Sequence, residues 1–201
     1  MKTIVITGPS GSGKTILSNK LAKSLKDSVI VKTDSYYRDN LIIKLISIFI
    51  NDVYDRFLSF KSKEIMKTID SLFKNEKSIN FYTYDFTKKI SRKTTRKINH
   101  KENYRFLILE GIFSHRLDLN YNETINIICK EKKEICYQRR LKRDQTERGR
   151  NKKEINKKFN KSWNLYFQNL NKFSHIKNTI TLNQSDKLSY KLLIRKIKKM
   201  N

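Results

Sequence analysis

Cysteine, proline and glycine are all scarce in this chain of 201 residues, which has two, one and five of them respectively. The two cysteines, Cys129 and Cys136, lie seven positions apart and form no C-x-x-C pair. This spacing predicts neither a zinc site nor a disulfide framework. Reduced thiols are typical of cytosolic proteins, so a cytoplasmic location is expected.

Long apolar runs are also lacking. The most apolar run, residues 41–50, includes Lys44 and is far shorter than the roughly 20 residues that a transmembrane helix needs. The chain runs from Met1 straight into a predicted strand, so no secretory leader is expected. We therefore expect no membrane partner.

Acidic residues are few beside basic ones, 19 against 45, and the formal net charge is +26. Segments 88–105 and 130–161 hold much of the basic excess. Such a charge attracts polyanions, either nucleic acid or the phosphates of nucleotides. The alternative is a compositional surplus of basic residues on a solvated surface.

The few glycines and the single proline are concentrated at three places. Three glycines and the proline lie within residues 8–13, the fourth glycine follows Glu110, and the fifth separates Arg148 from Arg150. A sequence this poor in both residues has kept them where phosphate could be handled, which indicates special backbone requirements there.

One motif identifies a phosphate-binding loop. G-x-x-x-x-G-K-[ST] is matched in full by Gly8, Pro9, Ser10, Gly11, Ser12, Gly13, Lys14 and Thr15. The motif stands between a predicted strand at 3–7 and a predicted helix that starts near Lys14, which is the context it requires. Its backbone amides and the helix N-terminus would hold phosphates. Lys14 would reach the β- and γ-phosphates and Thr15 would hold Mg²⁺, so the cofactors expected are Mg²⁺ with ATP or GTP.

Apolar periodicity predicts an α/β fold. Buried strands are expected at 3–7, 28–32, 106–109, 125–129 and 179–182. Helices are expected from 14, at 62–74, 132–144, 154–172 and 186–199, and a buried helix, with a strand as the alternative, at 41–50. Alternating strands and helices predict a parallel sheet of five strands covered on both faces, as in the three-layer P-loop kinase fold. We predict one domain over 1–201, with a β-hairpin insertion at 79–105 and an arginine-rich lid at 139–153.

Two acidic residues extend the predicted phosphate site. Asp34 and Glu110 each follow a predicted strand, and ligands of open α/β sheets bind at the carboxyl ends of the strands. Beside the phosphate-binding loop, either carboxylate could hold Mg²⁺, and one could accept a proton from an attacking hydroxyl.

A cluster of basic residues follows the fourth predicted strand: Arg139, Arg140, Arg143, Arg148 and Arg150. The first three lie on a predicted helix, and the last two are predicted in a mobile loop around a glycine. Guanidinium groups that close over a phosphoryl group stabilise the charge spread over its oxygens during transfer. The alternative is a solvated basic helix.

In this order, the motifs resemble the uridine kinase (uridine–cytidine kinase) family of P-loop kinases. The resemblance runs from Lys2 to about Leu182 and rests on the loop 8–15, Asp34-Ser35-Tyr36-Tyr37, Tyr84-Asp85-Phe86 with Ser91-Arg92, Glu110-Gly111-Ile112, and 139–144 with Glu147-Arg148-Gly149-Arg150.

The resemblance implies roles for the matching residues. Asp34 would take the proton from the nucleoside 5′-hydroxyl, and Thr15 and Glu110 would join it around Mg²⁺. The substrate-binding residues implied are Asp55, which would bind the ribose hydroxyls, Tyr37 and Tyr84, and, as the lid closes, Arg140 and Arg150. Arg148 would act in catalysis, beside Lys14.

Two departures from the family pattern concern the nucleoside. Asp55 is followed by Arg56 and keeps only one of the acids that the family has in this segment. Lys89 stands where the family has a histidine that reads the pyrimidine, and one extra residue precedes Ser91. The base specificity is therefore left open.

The function predicted is phosphorylation of a nucleoside 5′-hydroxyl, with uridine or cytidine favoured. Two alternatives are kept: a P-loop kinase with another hydroxyl acceptor, and a basic P-loop protein whose main partner is nucleic acid. The sequence leaves open whether the chain forms a homo-oligomer.

Overall fold

The computed structural model describes residues 1–49, 56–98, 104–117, 119, 124–171, 179–183 and 186–199. Seven strands are formed by β1 (Lys2–Thr7), β2 (Ser28–Lys32), β3 (Ser78–Asp85), β4 (Ile90–Lys97), β5 (Phe106–Glu110), β6 (Thr124–Lys130) and β7 (Thr179–Asn183). The α-helices are α1 (Lys14–Leu25), α2 (Leu41–Phe49), α3 (Ser62–Phe73), α4 (Lys133–Arg148), α5 (Lys152–Asn171) and α6 (Lys187–Lys199). In this part of the chain, no helix is both long and apolar enough to cross a bilayer.

The main sheet has five strands in the order β2-β5-β1-β6-β7, and every pairing is parallel. β5 is buried along its whole length because it lies between two strands and under helices on both faces. Since parallel strands end at the same edge, the pairing of Lys32 with Glu110 brings the ends of β2 and β5 together. The predicted five-stranded parallel sheet is confirmed.

Alternate residues of β1 face two separate apolar layers. Val5 joins a cluster with α3, the hairpin and Tyr36, whereas Ile4 and Ile6 join a cluster with α1 and α6. Period-two alternation of this kind is what a strand buried on both faces requires. The predicted three-layer arrangement is confirmed.

The chain at 78–97 forms the predicted hairpin, in which β3 and β4 pair antiparallel. Its aromatic side chains pack on the segment that follows β2: Tyr82 contacts Tyr36 with ring centroids 5.0 Å apart, and Tyr84 contacts Tyr37 at 5.2 Å. These contacts hold the hairpin beside the carboxyl edge of the sheet. Its role as a substrate-side insertion stays a prediction.

The prediction for 41–50 is right about the helix and wrong about its burial. Leu41, Leu45 and Phe49 of α2 are exposed, at 75%, 55% and 84%, and only Ile43 is recorded as buried among the described side chains of this helix. A continuous apolar run places apolar side chains on every face of a helix, and a helix at the surface buries only one of them.

Helix α4 is longer than predicted. It continues through Arg148, and Gly149, with a φ of 60°, ends it by donating its N–H to the Asp144 carbonyl. No glycine or proline lies between Lys133 and Arg148, so nothing interrupts the helix after Asp144. Arg148 therefore lies on a helix and not in a loop, and the predicted lid at 139–153 coincides with the end of α4 and the start of α5.

Candidate active site

The phosphate-binding loop connects β1 to α1 and packs tightly against α4. Gly11 has a φ of 86°, and a Cβ there would collide with the carbonyl oxygen of Cys136. Only glycine satisfies both conditions, because it tolerates the left-handed backbone and needs no space for a side chain. Gly13 is the N-cap of α1, so the loop ends where the positive end of the helix dipole begins.

Lys14 is held above this loop. Its side chain is buried, and Nζ donates a hydrogen bond to the Pro9 carbonyl at 3.2 Å. A lysine ammonium that is buried beside a ring of backbone amides is placed to neutralise bound phosphate.

The two predicted acids lie together at the sheet edge. Glu110 ends β5 and accepts a hydrogen bond from Thr15 Oγ1 at 3.3 Å, while Asp34 Oδ1 accepts one from the Ile112 N–H at 2.9 Å. Burial raises the pKa of Glu110, Lys14 opposes this rise, and Asp34 adds to it. Asp34 and Glu110 are therefore close enough to interact electrostatically.

Gly111 makes this close approach possible. A Cβ at this position would collide with Thr33 Oγ1 and would lie 2.7 Å from Asp34 Oδ1. Any side chain would push the turn that carries Asp34 away from Glu110. The glycine that follows Glu110 in the sequence is therefore a steric requirement of the acidic pair.

The oxygen donors of this site suit Mg²⁺ better than a metal ion that takes all of its ligands from the protein. Mg²⁺ usually takes one or two carboxylates and completes its shell with water and substrate phosphates. Thr15, Asp34 and Glu110 supply that set beside the phosphate-binding loop. Within the described ranges, no group of three or more His, Cys, Asp or Glu side chains could hold a metal ion.

One cavity of about 570 Å³ collects most of the predicted site residues. Its lining includes Ser10, Gly11, Gly13, Lys14, Thr15, Asp34, Tyr37, Tyr84, Glu110, Arg140, Arg148 and Arg150, and also Phe86 and Lys89 of the hairpin. The volume is within the range of small-molecule and cofactor sites. Asp55 lies outside the described residues, so its predicted contact with ribose stays a prediction.

Aromatic rings form one wall of the cavity. Tyr37, Tyr84 and Phe86 contact one another with ring centroids 5.0 to 5.6 Å apart. The arrangement lines this part of the cavity with aromatic carbon atoms. A flat, partly apolar ligand group fits such a wall.

Four of the five predicted arginines converge on one carboxylate that sequence reasoning did not select. Asp144 is fully buried and forms ion pairs with Arg140 at 3.5 Å, Arg143 at 2.9 Å, and Arg148 and Arg150 at 3.2 Å each. Burial opposes ionisation of Asp144, but the guanidinium groups outweigh it and hold its pKa below the usual range. Residues 140 and 148 lie four positions before and after the aspartate, but the predicted helix ended at Asp144, so the sequence reasoning did not place Arg148 on the same helix face.

The fifth arginine, Arg139, behaves differently. It pairs with Glu131 at 3.3 Å and donates to the carbonyl oxygen of Gly11 at 3.3 Å. It therefore supports the phosphate-binding loop from outside the Asp144 cluster.

Arg148 links the two sides of the cavity. Its guanidinium carbon lies 4.1 Å from the centre of the Phe86 ring, and its Nη1 is 3.2 Å from Asp144 Oδ1. Burial, together with neighbouring Arg143, lowers the pKa of Arg148 to about 10, so it stays charged at neutral pH. Because this cation contacts both the aromatic wall and the arginine cluster, a ligand bound at either place would change its surroundings.

A buried histidine supports the start of the phosphate-binding loop. Thr7, the last residue of β1, donates to the Ile112 carbonyl at 3.1 Å, so its oxygen can accept from His115 Nδ1 at 2.9 Å. Burial, with a smaller contribution from Arg116, lowers the pKa of His115 to about 4. His115 is therefore neutral in the folded protein at physiological pH.

This histidine predicts a loss of stability in acid. Because the pKa of His115 is lower in the folded than in the unfolded state, its contribution to the free energy of unfolding is fully present above the unfolded pKa near 6.5. This contribution is lost as pH falls towards 4. Between pH 7 and pH 5, we expect this group to lower the free energy of unfolding by about 2 kcal/mol. Thermal melts of wild type and His115→Asn across this range test it, since the variant should show the shallower decline. Parallel declines would contradict the assignment.

The sequence matches the model of the phosphoribulokinase/uridine kinase family over residues 3–174. This chain belongs to that family. It is 33% identical to a uridine kinase of Lactobacillus helveticus over 152 residues, which cover 73% of this chain and 69% of the relative. It is 32% identical to a uridine kinase of Haemophilus ducreyi over 154 residues, with coverage of 73% and 69%.

A solved structure shares the fold of this family member. It is a protein from Silicibacter sp. TM1040 named as a fructose transport system kinase, with a TM-score of 0.65 and 16% identity. The match covers 83% of this chain and 84% of that protein. Membership of this family makes the protein a phosphotransferase of the small-molecule kinase type.

Proposed function

We propose that the protein transfers the γ-phosphoryl group of ATP to the 5′-hydroxyl of a nucleoside, with uridine or cytidine favoured. The observation that carries this proposal is the convergence of three groups on one cavity: Lys14 with the phosphate-binding loop, the pair Asp34 and Glu110, and the aromatic wall. A phosphate site, an acid–base site and an aromatic surface for the base are what this reaction needs.

The residues of the candidate active site have separate roles in this reaction. The loop amides and Lys14 bind and neutralise the phosphates of the donor. The Ile112 N–H engages Asp34 Oδ1, which leaves Oδ2 to accept the proton of the attacking hydroxyl. Thr15, Asp34 and Glu110 would hold Mg²⁺, which neutralises charge on the β- and γ-phosphates when bound.

The choice of a nucleoside rests on the aromatic wall and on the relatives. Tyr37, Tyr84 and Phe86 offer faces to a planar base, and the two relatives named above are uridine kinases. The structural neighbour is named for a kinase with a different acceptor. A related kinase that phosphorylates another hydroxyl is therefore the competing candidate.

A transfer screen tests the proposal. Purified protein is incubated with ATP, Mg²⁺ and one acceptor at a time from a panel of pyrimidine nucleosides, purine nucleosides, sugars and vitamins, and the products are separated. We expect nucleoside monophosphates, with uridine or cytidine as the best acceptors, and about a hundredfold less product, or less still, with Lys14→Ala. Turnover of a sugar or vitamin alone would replace the proposal with the competing candidate.

Lys89 predicts weak discrimination between bases. It lies exposed at the hairpin turn with a φ of 53° and lines the cavity. A neutral histidine can both donate to and accept from a pyrimidine edge, whereas a lysine only donates and keeps its ammonium in water. We expect ratios of kcat/KM among uridine, cytidine and purine nucleosides to stay within about a hundredfold, since one polar contact contributes only a few kcal/mol to discrimination.

Competition assays with wild type and Lys89→Ala measure these ratios. Lys93→Ala, on the exposed part of β4, serves as a control of equal charge change. A strong pyrimidine preference that Lys89→Ala does not alter would show that the base is read by other residues.

One observation supports a nucleic-acid partner. A second, wider depression lies between the hairpin and β2, and Lys26, Arg96 and Arg105 line it. Among the predicted site residues that the structure describes, none borders it. Binding of an oligonucleotide there would show a steep dependence of affinity on salt concentration.

A further inference from the structure

The arrangement around Asp144 is unusual for a structural ion pair. Four arginines surround one carboxylate that has no exposed surface, and four positive charges with one negative charge leave a net charge of +3. Guanidinium groups packed this closely repel one another in a partly dry environment. The carboxylate at the centre is what makes their convergence favourable.

The arginines and the aspartate differ in what they face. Arg140, Arg143, Arg148 and Arg150 all line the candidate active-site cavity, whereas Asp144 is not part of its lining. Arg143 also donates to Ser10 Oγ of the phosphate-binding loop at 3.3 Å. The aspartate is therefore placed behind the arginines as seen from the cavity.

The four arginines share the two oxygens of the Asp144 carboxylate. Asp144 Oδ1 is engaged by Arg143 and Arg148, and Oδ2 by Arg140 and Arg150. A guanidinium group carries five N–H donors, so the ion pair with Asp144 engages only part of each one. Further donors of Arg140 and Arg143 reach Ser162 Oγ at 2.6 Å and Ser10 Oγ at 3.3 Å, and both arginines line the cavity. The side chains are held in place before the phosphates arrive, and transfer then requires less rearrangement.

We propose that Asp144 is a positioning residue, which holds four arginines convergent on the transferred phosphoryl group without touching it. This inference rests on the proposed phosphoryl transfer and assigns to that reaction a residue that acts through the arginines. For a variant without the carboxylate, it predicts tighter anion binding but slower phosphoryl transfer. Without the carboxylate, the cluster is more positive and binds anions more tightly, but its geometry is lost.

The test uses Asp144→Asn in the full chain. Calorimetry with inorganic pyrophosphate measures anion binding, and the transfer assay measures kcat and the KM for ATP. We expect the affinity for pyrophosphate to rise several-fold and kcat to fall at least tenfold. A purely structural aspartate would lower both in proportion to the fraction of folded protein, and that result would overturn the proposal, as would an unchanged kcat in a folded variant.

Two further variants control for folding and charge. Glu154→Gln removes a more exposed carboxylate that lies 3.8 Å from Arg150, and it should leave kcat within about twofold of wild type. Asp144→Asn combined with Arg143→Gln restores the net charge of the cluster, and it should recover the melting temperature but not kcat. Full recovery of kcat in the double variant would show that charge balance, and not positioning, is the role of Asp144.

The two proposals can fail separately. If wild type transfers phosphate to no acceptor, the proposed function fails, yet the comparison of pyrophosphate binding between wild type and Asp144→Asn still stands. Unchanged or weaker pyrophosphate binding by a folded Asp144→Asn variant would overturn the positioning role alone.

Discussion

Replacing Lys14 with alanine is expected to lower kcat by about a hundredfold or more, because the variant loses a buried cation that neutralises charge in the transition state. The ammonium group donates only to the Pro9 carbonyl among the hydrogen bonds recorded for it, so the fold should survive its removal. Transfer rates under saturating substrates and thermal melts measure the two effects separately.

The control for this experiment lies on the same helix. Lys23→Ala removes an exposed lysine from the last turn of α1 and should leave kcat unchanged. Near wild-type turnover in a folded Lys14→Ala variant would remove the basis for placing the phosphates at this loop.

Asp34→Asn is expected to lower kcat by two to four orders of magnitude, roughly the contribution of a general base, while ATP binding is largely retained. The amide oxygen of asparagine can still accept the hydrogen bond from the Ile112 N–H, so the turn that carries residue 34 should keep its position. The amide cannot, however, take a proton from the attacking hydroxyl. Calorimetry with ATP and steady-state kinetics supply the two readouts.

Asp70→Asn, at an exposed position of α3, is the matched control and should behave as wild type. Equal losses of binding and rate in Asp34→Asn would instead indicate an acid that only maintains the local structure.

Local sequence patterns were sufficient to predict the phosphate-binding loop and the acidic residues at the edge of the sheet. Lys14, Asp34 and Glu110 could be placed because a motif or a strand end fixes each of them within a few residues of sequence. For Gly111, the sequence indicated a special backbone requirement, and the structure shows a steric one, because a Cβ there would collide with Thr33 Oγ1.

Features that depend on tertiary contacts could not be read in this way. The exposure of Phe49 depends on which face of α2 meets the rest of the fold, and the uniformly apolar run 41–50 does not encode that face. The role of Asp144 was hidden among basic neighbours, because a single acid in an arginine-rich helix looks like ordinary charge compensation. Its burial under Arg140 and Arg148 becomes evident only in three dimensions.

The contact between Arg148 and Phe86 has a thermodynamic consequence. A molecule that enters against the aromatic wall and moves the Phe86 ring changes the environment of a cation that, in the proposed reaction, also contacts the phosphates. The two substrates then cannot bind independently: each alters the affinity for the other, and by linkage both alterations are equal in free energy. Acceptors of different shape should therefore give different apparent affinities for the same ATP.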